Sequence, residues 1–282
     1  MSFYLKKDIQ GAFNTAAHTY DMAAVLCHEI CRRMVERLFV MRLVPEIILD
    51  LGAGTGQGTR LLQKHYPNAN IISMDLAMIM LQQSSSLPAK LCGDAEQLPI
   101  QSNSVDLIFS NLMLPWCNDA EVVFREAKRV LKVGGLFLFS TFGPDTLKEI
   151  RFSWARVDDH PHVHLFYDLH DIGDALVNAR FADPVMDIDL ITLTYKTAKQ
   201  SMQELRACGM HNILKERKKT LTGKKLFEQF MMAYETFRQP NGLLPNTYEI
   251  AYGHAWKVEG QKRDNNEVAI PVSAISNRSA PK

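Results

Sequence analysis

The 282-residue chain carries no strong charge of either sign: 32 Lys and Arg stand against 31 Asp and Glu, a formal net charge of +1. A general nucleic-acid binder shows a marked basic excess, so that class is excluded as the main function. No apolar run approaches the roughly 20 residues of a membrane span, and no membrane partner is expected. The opening "MSFYLKKDIQ" lacks the apolar segment of a secretory signal. Cysteine is sparse. The five (Cys27, Cys31, Cys92, Cys117, Cys208) include no C-x-x-C pair, and the Cys27/Cys31 spacing is that of adjacent helical turns. They read as reduced thiols, which sets the expected compartment as the cytoplasm.

What is present is an ordinary globular balance, 46% hydrophobic and 22% charged, with a regular alternation. Two helical stretches fill the first forty-odd residues, the second being "AAVLCHEICRRMVERLF". Then "EIILDL", "ANIISMD", "SVDLIFSN" and "LFLFSTF" read as strands. Helical patterns separate them: "TRLLQKHY", "LAMIMLQQS" and "DAEVVFREAKRVL", the last capped at Asn118 or Asp119 and ended by Gly134 and Gly135. Strand, helix, strand in this rhythm predicts an α/β fold with a mostly parallel sheet covered on both faces. Later, "PVMDIDLITLTY" is a strand, 198–239 a helical insertion, and "NTYEIAYGHAW" a last strand. One domain is expected over 1–259: a helical cover at 1–44, a core at 45–143, and a substrate and partner half at 144–259. Residues 260–282 are polar and read as a disordered tail.

The stretch "ILDLGAGTGQG" ends a strand in an acid and turns into Gly52, Gly54, Gly56 and Gly58. Such a turn at a helix N-terminus suits a polar ligand, although it can also serve only to pack a helix on a sheet. The dinucleotide pattern G-x-G-x-x-G fails on either register, because Gln57 or Thr59 stands where the third glycine belongs. No Gly-Lys-Ser/Thr follows, so a phosphate-binding P-loop is excluded too. What remains, an acid then G-x-G-x-G, resembles the first motif of class I S-adenosylmethionine-dependent methyltransferases. Glycines let backbone approach the cofactor's amino-acid part closely.

That resemblance implies a Rossmann-like, seven-stranded, mostly parallel sheet and a set of cofactor residues. Asp50, Gly52, Gly54 and Gly56 form the loop. Asp75, with Leu76 beside it, ends the second strand, where an acid can accept ribose hydroxyls. "GDAEQLP" resembles the adenine-binding segment, Asp94 taking the amino group and Ala95 the ring nitrogen. "RVLKVGG" resembles the lead into the fifth strand. Ser110 and Asn111 end the fourth strand, at the edge where open α/β sheets bind ligands.

The flanks narrow the resemblance. "AFNTAAHTYD", "SNLMLPWCND", "WARVDDHPHVHLF", "MQELRACGMHN" and "PNTYEI" are similar to the malonyl-acyl-carrier-protein O-methyltransferase family of biotin synthesis, over roughly residues 8 to 257. The departures are Cys208 and His211 in place of a small-residue turn, and His160 where an arginine is common. The family's reaction esterifies the free carboxylate of a malonyl thioester on acyl carrier protein. A carboxylate is already nucleophilic at neutral pH, which accounts for the absence of a base beside the motifs. The catalytic candidates are Tyr20, Asp21, Trp116 and His162, with Arg151 and Arg156 as rival carboxylate partners; each has a plain packing or surface role as its alternative. His160, His162, His164 and His170 invite a metal, but methyl transfer needs none and no Cys or Asp completes a set. Lys215, Arg217, Lys218, Lys219, Lys224 and Lys225 stand with one acid in "KERKKTLTGKK", and the resemblance implies docking of the acidic carrier protein there. The competing readings are a class I methyltransferase for another small acceptor, such as a quinone precursor or free acid, and a cofactor-binding protein without catalysis.

Overall fold

The apolar runs of the first half pair into a parallel sheet because its central strands are buried on both faces and must be covered by helices. The computed structural model describes residues 3–220 and 222–259; the tail expected at 260–282 lies outside the described residues. Three helices open the chain: α1 (Lys6–Ala16), α2 (Tyr20–Ala23) and α3 (Val25–Leu38). Next come β1 (Ile47–Leu51), α4 (Gln57–His65), β2 (Asn70–Asp75), α5 (Met78–Gln82), β3 (Ala89–Cys92) and β4 (Val105–Asn111). A 3₁₀ turn at Leu114–Trp116 leads into α6 (Ala120–Val130), β5 (Leu131–Phe142), α7 (Lys148–Ala155) and α8 (Leu169–Asn178). The chain continues through β6 (Ala182–Tyr195), α9 (Ala198–Ala207), α10 (Lys224–Glu235) and β7 (Leu244–Trp256).

The sheet has seven strands in the order β3-β2-β1-β4-β5-β7-β6. The first five pair in parallel, and β7 runs antiparallel between β5 and β6. The order reverses between β1 and β4. The crevice above their C-terminal ends is where sheets of this kind take ligands. Strand alternation divides the core: Leu136 and Leu138 of β5 face the α3 side, whereas Phe137 and Phe139 face the α6 side. Each such side chain contributes about 1.5–3 kcal/mol on full burial.

Asp119 is the residue that caps α6, accepting from the amides of Glu121 and Val122. Gly134 and Gly135 do not end that helix. It stops at Val130, Leu131 turns extended, and the glycines lie inside β5, where Gly134 takes φ +80° and the register to β4 shifts. That bulge, three residues longer on β5 than on β4, hydrogen-bonds to Lys257, and its turn needs a positive φ that glycine adopts cheaply. The 198–239 insertion is two helices with an irregular segment between them, so the basic run is split between that segment and the first turn of α10.

Buried polar groups fasten the second half. Glu149 of α7, 5% exposed, accepts from Thr247 Oγ1 at 2.5 Å and from its amide at 3.1 Å. Glu149→Ala would strand both donors of β7. It should lower the unfolding free energy by about 1–3 kcal/mol, read from urea denaturation; an unchanged midpoint would show the contact to be dispensable.

Candidate active site

Asp50 is 2% exposed, and burial of an unpartnered carboxylate is costly. It finds its donor in the first turn of α4, where Thr59 Oγ1 lies 2.6 Å away. Gly58 makes the approach possible: a Cβ there would sit 2.9 Å from Asp50 Oδ2. Burial pushes the Asp50 carboxyl up to about 6, against the pull of the Thr59 hydroxyl and amide. Thr59 also meets Ser73 of β2 at 2.8 Å. Asp50 therefore fastens the loop from behind and is not on the wall of the ligand cleft.

That wall is formed by the loop itself and the ends of β2 and β4. Gly52 and Gly54 line it, both at positive φ (+77° and +56°). A Cβ on Gly54 would meet only Met80 Cε, at 3.6 Å, so this position opens onto the cleft. Gly56 stands outside the wall as the left-handed N-cap of α4. Asp75 faces the cleft and is itself held by the amides of Gly54 (2.9 Å) and Ala77 (2.8 Å). Burial raises its pKa, and the Ala77, Gly54 and Leu76 amides oppose that. Leu76, Asp94 and Ala95 complete this side. Asn111 also lines the cleft, fixed by its bonds to the Cys27 carbonyl and Ser140 Oγ, both at 3.0 Å. Its neighbour Ser110 is fully buried off the wall, and its Oγ has no partner among the described residues.

The opposite wall is the N-terminal cover. Lys6, Ile9 and Phe13 of α1 line the cleft, none of them a site candidate in the sequence. Lys6 Nζ reaches Asp94 Oδ1 at 2.9 Å and Glu96 Oε2 at 2.5 Å. Burial works against its charge, but the two carboxylates outweigh it and hold the ammonium above its ordinary range. Tyr20 lines the cleft beside Cys27, and burial raises its pKa well above the ordinary phenol value. It is a neutral donor. Asp21 points away from the cleft, with Oδ1 accepting from Thr55 Oγ1 at 2.5 Å, and thus ties the cover to the glycine loop.

A second cavity of about 300 Å³ adjoins the first, at the small end of ligand pockets. Trp116 and Met210 line both. Trp116 packs edge-on against Phe13 (5.0 Å) and His164 (5.1 Å). His162 is on the second wall, stacked on Trp154 at 3.9 Å and bonded to Asp158 at 2.8 Å. His164 is buried, which drops its pKa to about 4, whereas His160 and His170 are exposed. Among the described residues no three His, Cys, Asp or Glu gather as a metal site. Arg151 is engaged by the carbonyls of Pro144 and Thr146, and Arg156 lies over the Phe152 ring 4.5 Å away; neither reaches a cavity shared with Trp116. The Cys117 thiol, pushed up to about 12 by burial, is no nucleophile.

The basic run divides. Arg217 pairs with Asp8 at 3.1 Å and Lys218 approaches Asp158 at 3.9 Å. The Lys215 amide donates to Phe3. Lys219, Lys224 and Lys225 are exposed, Lys224 lying 3.8 Å from Glu228. Thr222, between them in the chain, lines the second cavity.

With this geometry in hand, residues 49–139 match the family model described as a methyltransferase domain. The malonyl-[acyl-carrier protein] O-methyltransferase of Gallionella capsiferriformans is 47% identical over 89% of this chain and 91% of that protein. The enzyme of the same name from Legionella pneumophila is 37% identical over 98% and 99%. The chain belongs to this family. It is an O-methyltransferase, and its fold agrees: YcgJ of Bacillus subtilis superimposes with a TM-score of 0.58 at 19% identity, covering 83% of this chain and all of that one. The cofactor is S-adenosylmethionine, and the cleft fits it. Its wall combines an open glycine position with the carboxylates of Asp75 and Asp94, a donor and acceptor set suited to a cofactor that carries an amino-acid tail, a ribose and an amino-substituted ring. Among the described residues no helix is long and apolar enough to cross a membrane.

The raised pKa of Asp50 has a consequence for stability. An unfolded aspartate titrates near about 3.9. Between about pH 4 and pH 6 the folded chain therefore binds a proton that the unfolded chain lacks, so this group's contribution to stability rises as pH falls. Asp50→Asn keeps an acceptor for Thr59 and removes the titration. Between about pH 7 and about pH 4.5, the difference in unfolding free energy should move in favour of the native sequence; parallel curves would mean that Asp50 stays charged when folded.

Proposed function

We propose that the enzyme methylates the free carboxylate of a malonyl group carried on acyl carrier protein, yielding the methyl ester that primes pimelate synthesis for biotin. One observation carries this reading: relatives of that name are 37–47% identical along nearly their whole length. In this reading residues 1–259 act as one catalytic domain. The five free cysteines favour a reducing compartment, the cytoplasm.

Bound in the cleft, S-adenosylmethionine supplies an electrophilic methyl group. Gly52, Gly54, Asp75, Leu76, Asp94, Ala95 and Asn111 would hold it, with Asp50, Gly56 and Ser110 supporting the loop and strand from behind. The chain needs no general base, because the acceptor carboxylate is anionic at neutral pH. Its task is alignment and exclusion of water. Tyr20, a neutral donor on the cleft wall, orients a carboxylate oxygen. Trp116 and Met210, common to both cavities, form the junction where acceptor meets cofactor. Asp21 keeps the cover seated on the loop, and His162 shapes the acceptor cavity through its stack on Trp154. Methylation removes the acceptor's charge, so the ester leaves more readily than the acid binds.

The exposed lysines flank the part of the chain that lines the second cavity at Thr222. A carrier protein seated on the basic run would present its acyl arm at that mouth, which supports docking there. Incubation with malonyl carrier protein and cofactor should add one methyl group by mass and abolish the carboxylate charge; acetyl carrier protein should stay unmodified. A product that keeps its negative charge would overturn carboxyl methylation.

Reversing Lys219, Lys224 and Lys225 to Glu should raise KM for malonyl carrier protein and flatten its salt dependence, because rim charges act on encounter. Turnover of malonyl-coenzyme A at saturation should change little. Equal losses on both substrates would assign the three lysines to folding, and no loss on either would make them a plain solvated surface.

A further inference from the structure

The wall of the second cavity contains no Asp or Glu among the described residues. It does contain one arginine, Arg206, in the last turn of α9. Every other arginine weighed for the acceptor is engaged elsewhere: Arg151 by two carbonyls, Arg156 by Phe152. Arg206 donates its side chain to no hydrogen bond or ion pair among the described residues. In the cofactor cleft the lining cation, Lys6, is already spent on Asp94 and Glu96.

Its location follows from how α9 ends. The Met210 amide bonds back to the Leu205 carbonyl at 2.8 Å, and Gly209 takes φ +73°, which folds the chain back over the helix end. Arg206 is thereby brought into the neighbourhood of Met210, one of the two side chains common to both cavities. His211 follows Met210 on the same wall; though the residue as a whole is exposed, desolvation of its ring and the nearby charges of Arg206 and Arg217 lower its pKa. Burial does the same to His164, and His162 is committed to Asp158. A guanidinium is charged at every working pH. Among the described residues, Arg206 is thus the one permanent cation on this wall.

We infer that Arg206 receives the acceptor's free carboxylate and so sets the preference for a malonyl group over an uncharged acyl chain. This rests on the carboxyl-methylation reading above. The chemistry suits the site. A guanidinium N–H can bind one carboxylate oxygen by a charge-assisted hydrogen bond and leave the other for methylation. An acetyl group offers no charge to meet it. The methyl ester loses that charge, so the contact that recruits the acid does not retain the product.

The test compares the native enzyme with Arg206→Met and Arg206→Lys. Acetyl carrier protein serves as an inhibitor that docks but brings no carboxylate. Arg206→Met should raise KM for malonyl carrier protein roughly 10- to 100-fold, the loss expected for a hydrogen bond to a charged group. Its melting temperature, cofactor affinity and inhibition constant for acetyl carrier protein should stay as in the native enzyme. Arg206→Lys, which keeps the charge, should recover part of the loss. An equal rise in the inhibition constant for acetyl carrier protein would make Arg206 a docking residue and overturn the inference. An unchanged KM, or a parallel loss of cofactor affinity, would overturn it as well. Failure of the native enzyme to esterify malonyl carrier protein would instead remove the reading beneath it, and that arm contains no variant.

Discussion

A carboxylate buried under the first turn of α4 governs how the rest of the cleft is laid out. Asp50 cannot stay ionised there without donors, and Thr59 supplies them only if the helix approaches closely. Gly58 permits that approach. Once α4 is drawn down onto β1, the few residues between must turn sharply, and left-handed glycines do so cheaply. Thr59 also meets Ser73, two residues before Asp75, so the same contact relates the loop to the end of β2. Gly54 and Asp75 then face one cleft and bond to each other.

The second organising element is the N-terminal cover, which touches both ends of the site. Lys6 holds the Asp94 segment, Gln10 donates to the Leu76 carbonyl, and Asp21 takes the Thr55 hydroxyl. On the other side Asp8 pairs with Arg217, and Thr19 donates to the Ala207 carbonyl at the end of α9. The first twenty-odd residues are therefore not an appendage. They join the glycine loop and the Asp94 segment to the α9 end of the chain's second half.

How much of this was legible in the sequence depended on the range of the interactions. The strands and the glycine turn write themselves locally, as runs of apolar residues and a spacing that only certain ligands tolerate. Six of the seven strands accordingly lie close to where the patterns put them; the short β3, mostly exposed at the sheet edge, and the helices α7 and α8 had no such pattern. Gly134 and Gly135 misled because a glycine pair after a helix and a glycine bulge within a strand look alike until pairing with Lys257 is known. Asp50 and Asp75 both end strands, and nothing local distinguishes the one turned under the helix from the one facing the cleft. Lys6 and Arg206 had no local signal at all. Their meaning lies in what they oppose, 88 positions away for Lys6 and Asp94, or in what they lack.

The last two strands settle where variation can be accommodated. Tyr195 closes β6 directly opposite Leu244, where β7 begins. Everything between them, including α9, α10 and the basic segment, departs from the sheet and returns to it at a single rung. Its length can change without displacing a strand, so long as Phe230 and Tyr234 of α10 keep their places in the core. The second cavity, which Arg206 and Thr222 line, can thus be reshaped from that segment while the glycine loop and the strand ends beneath it stay where they are.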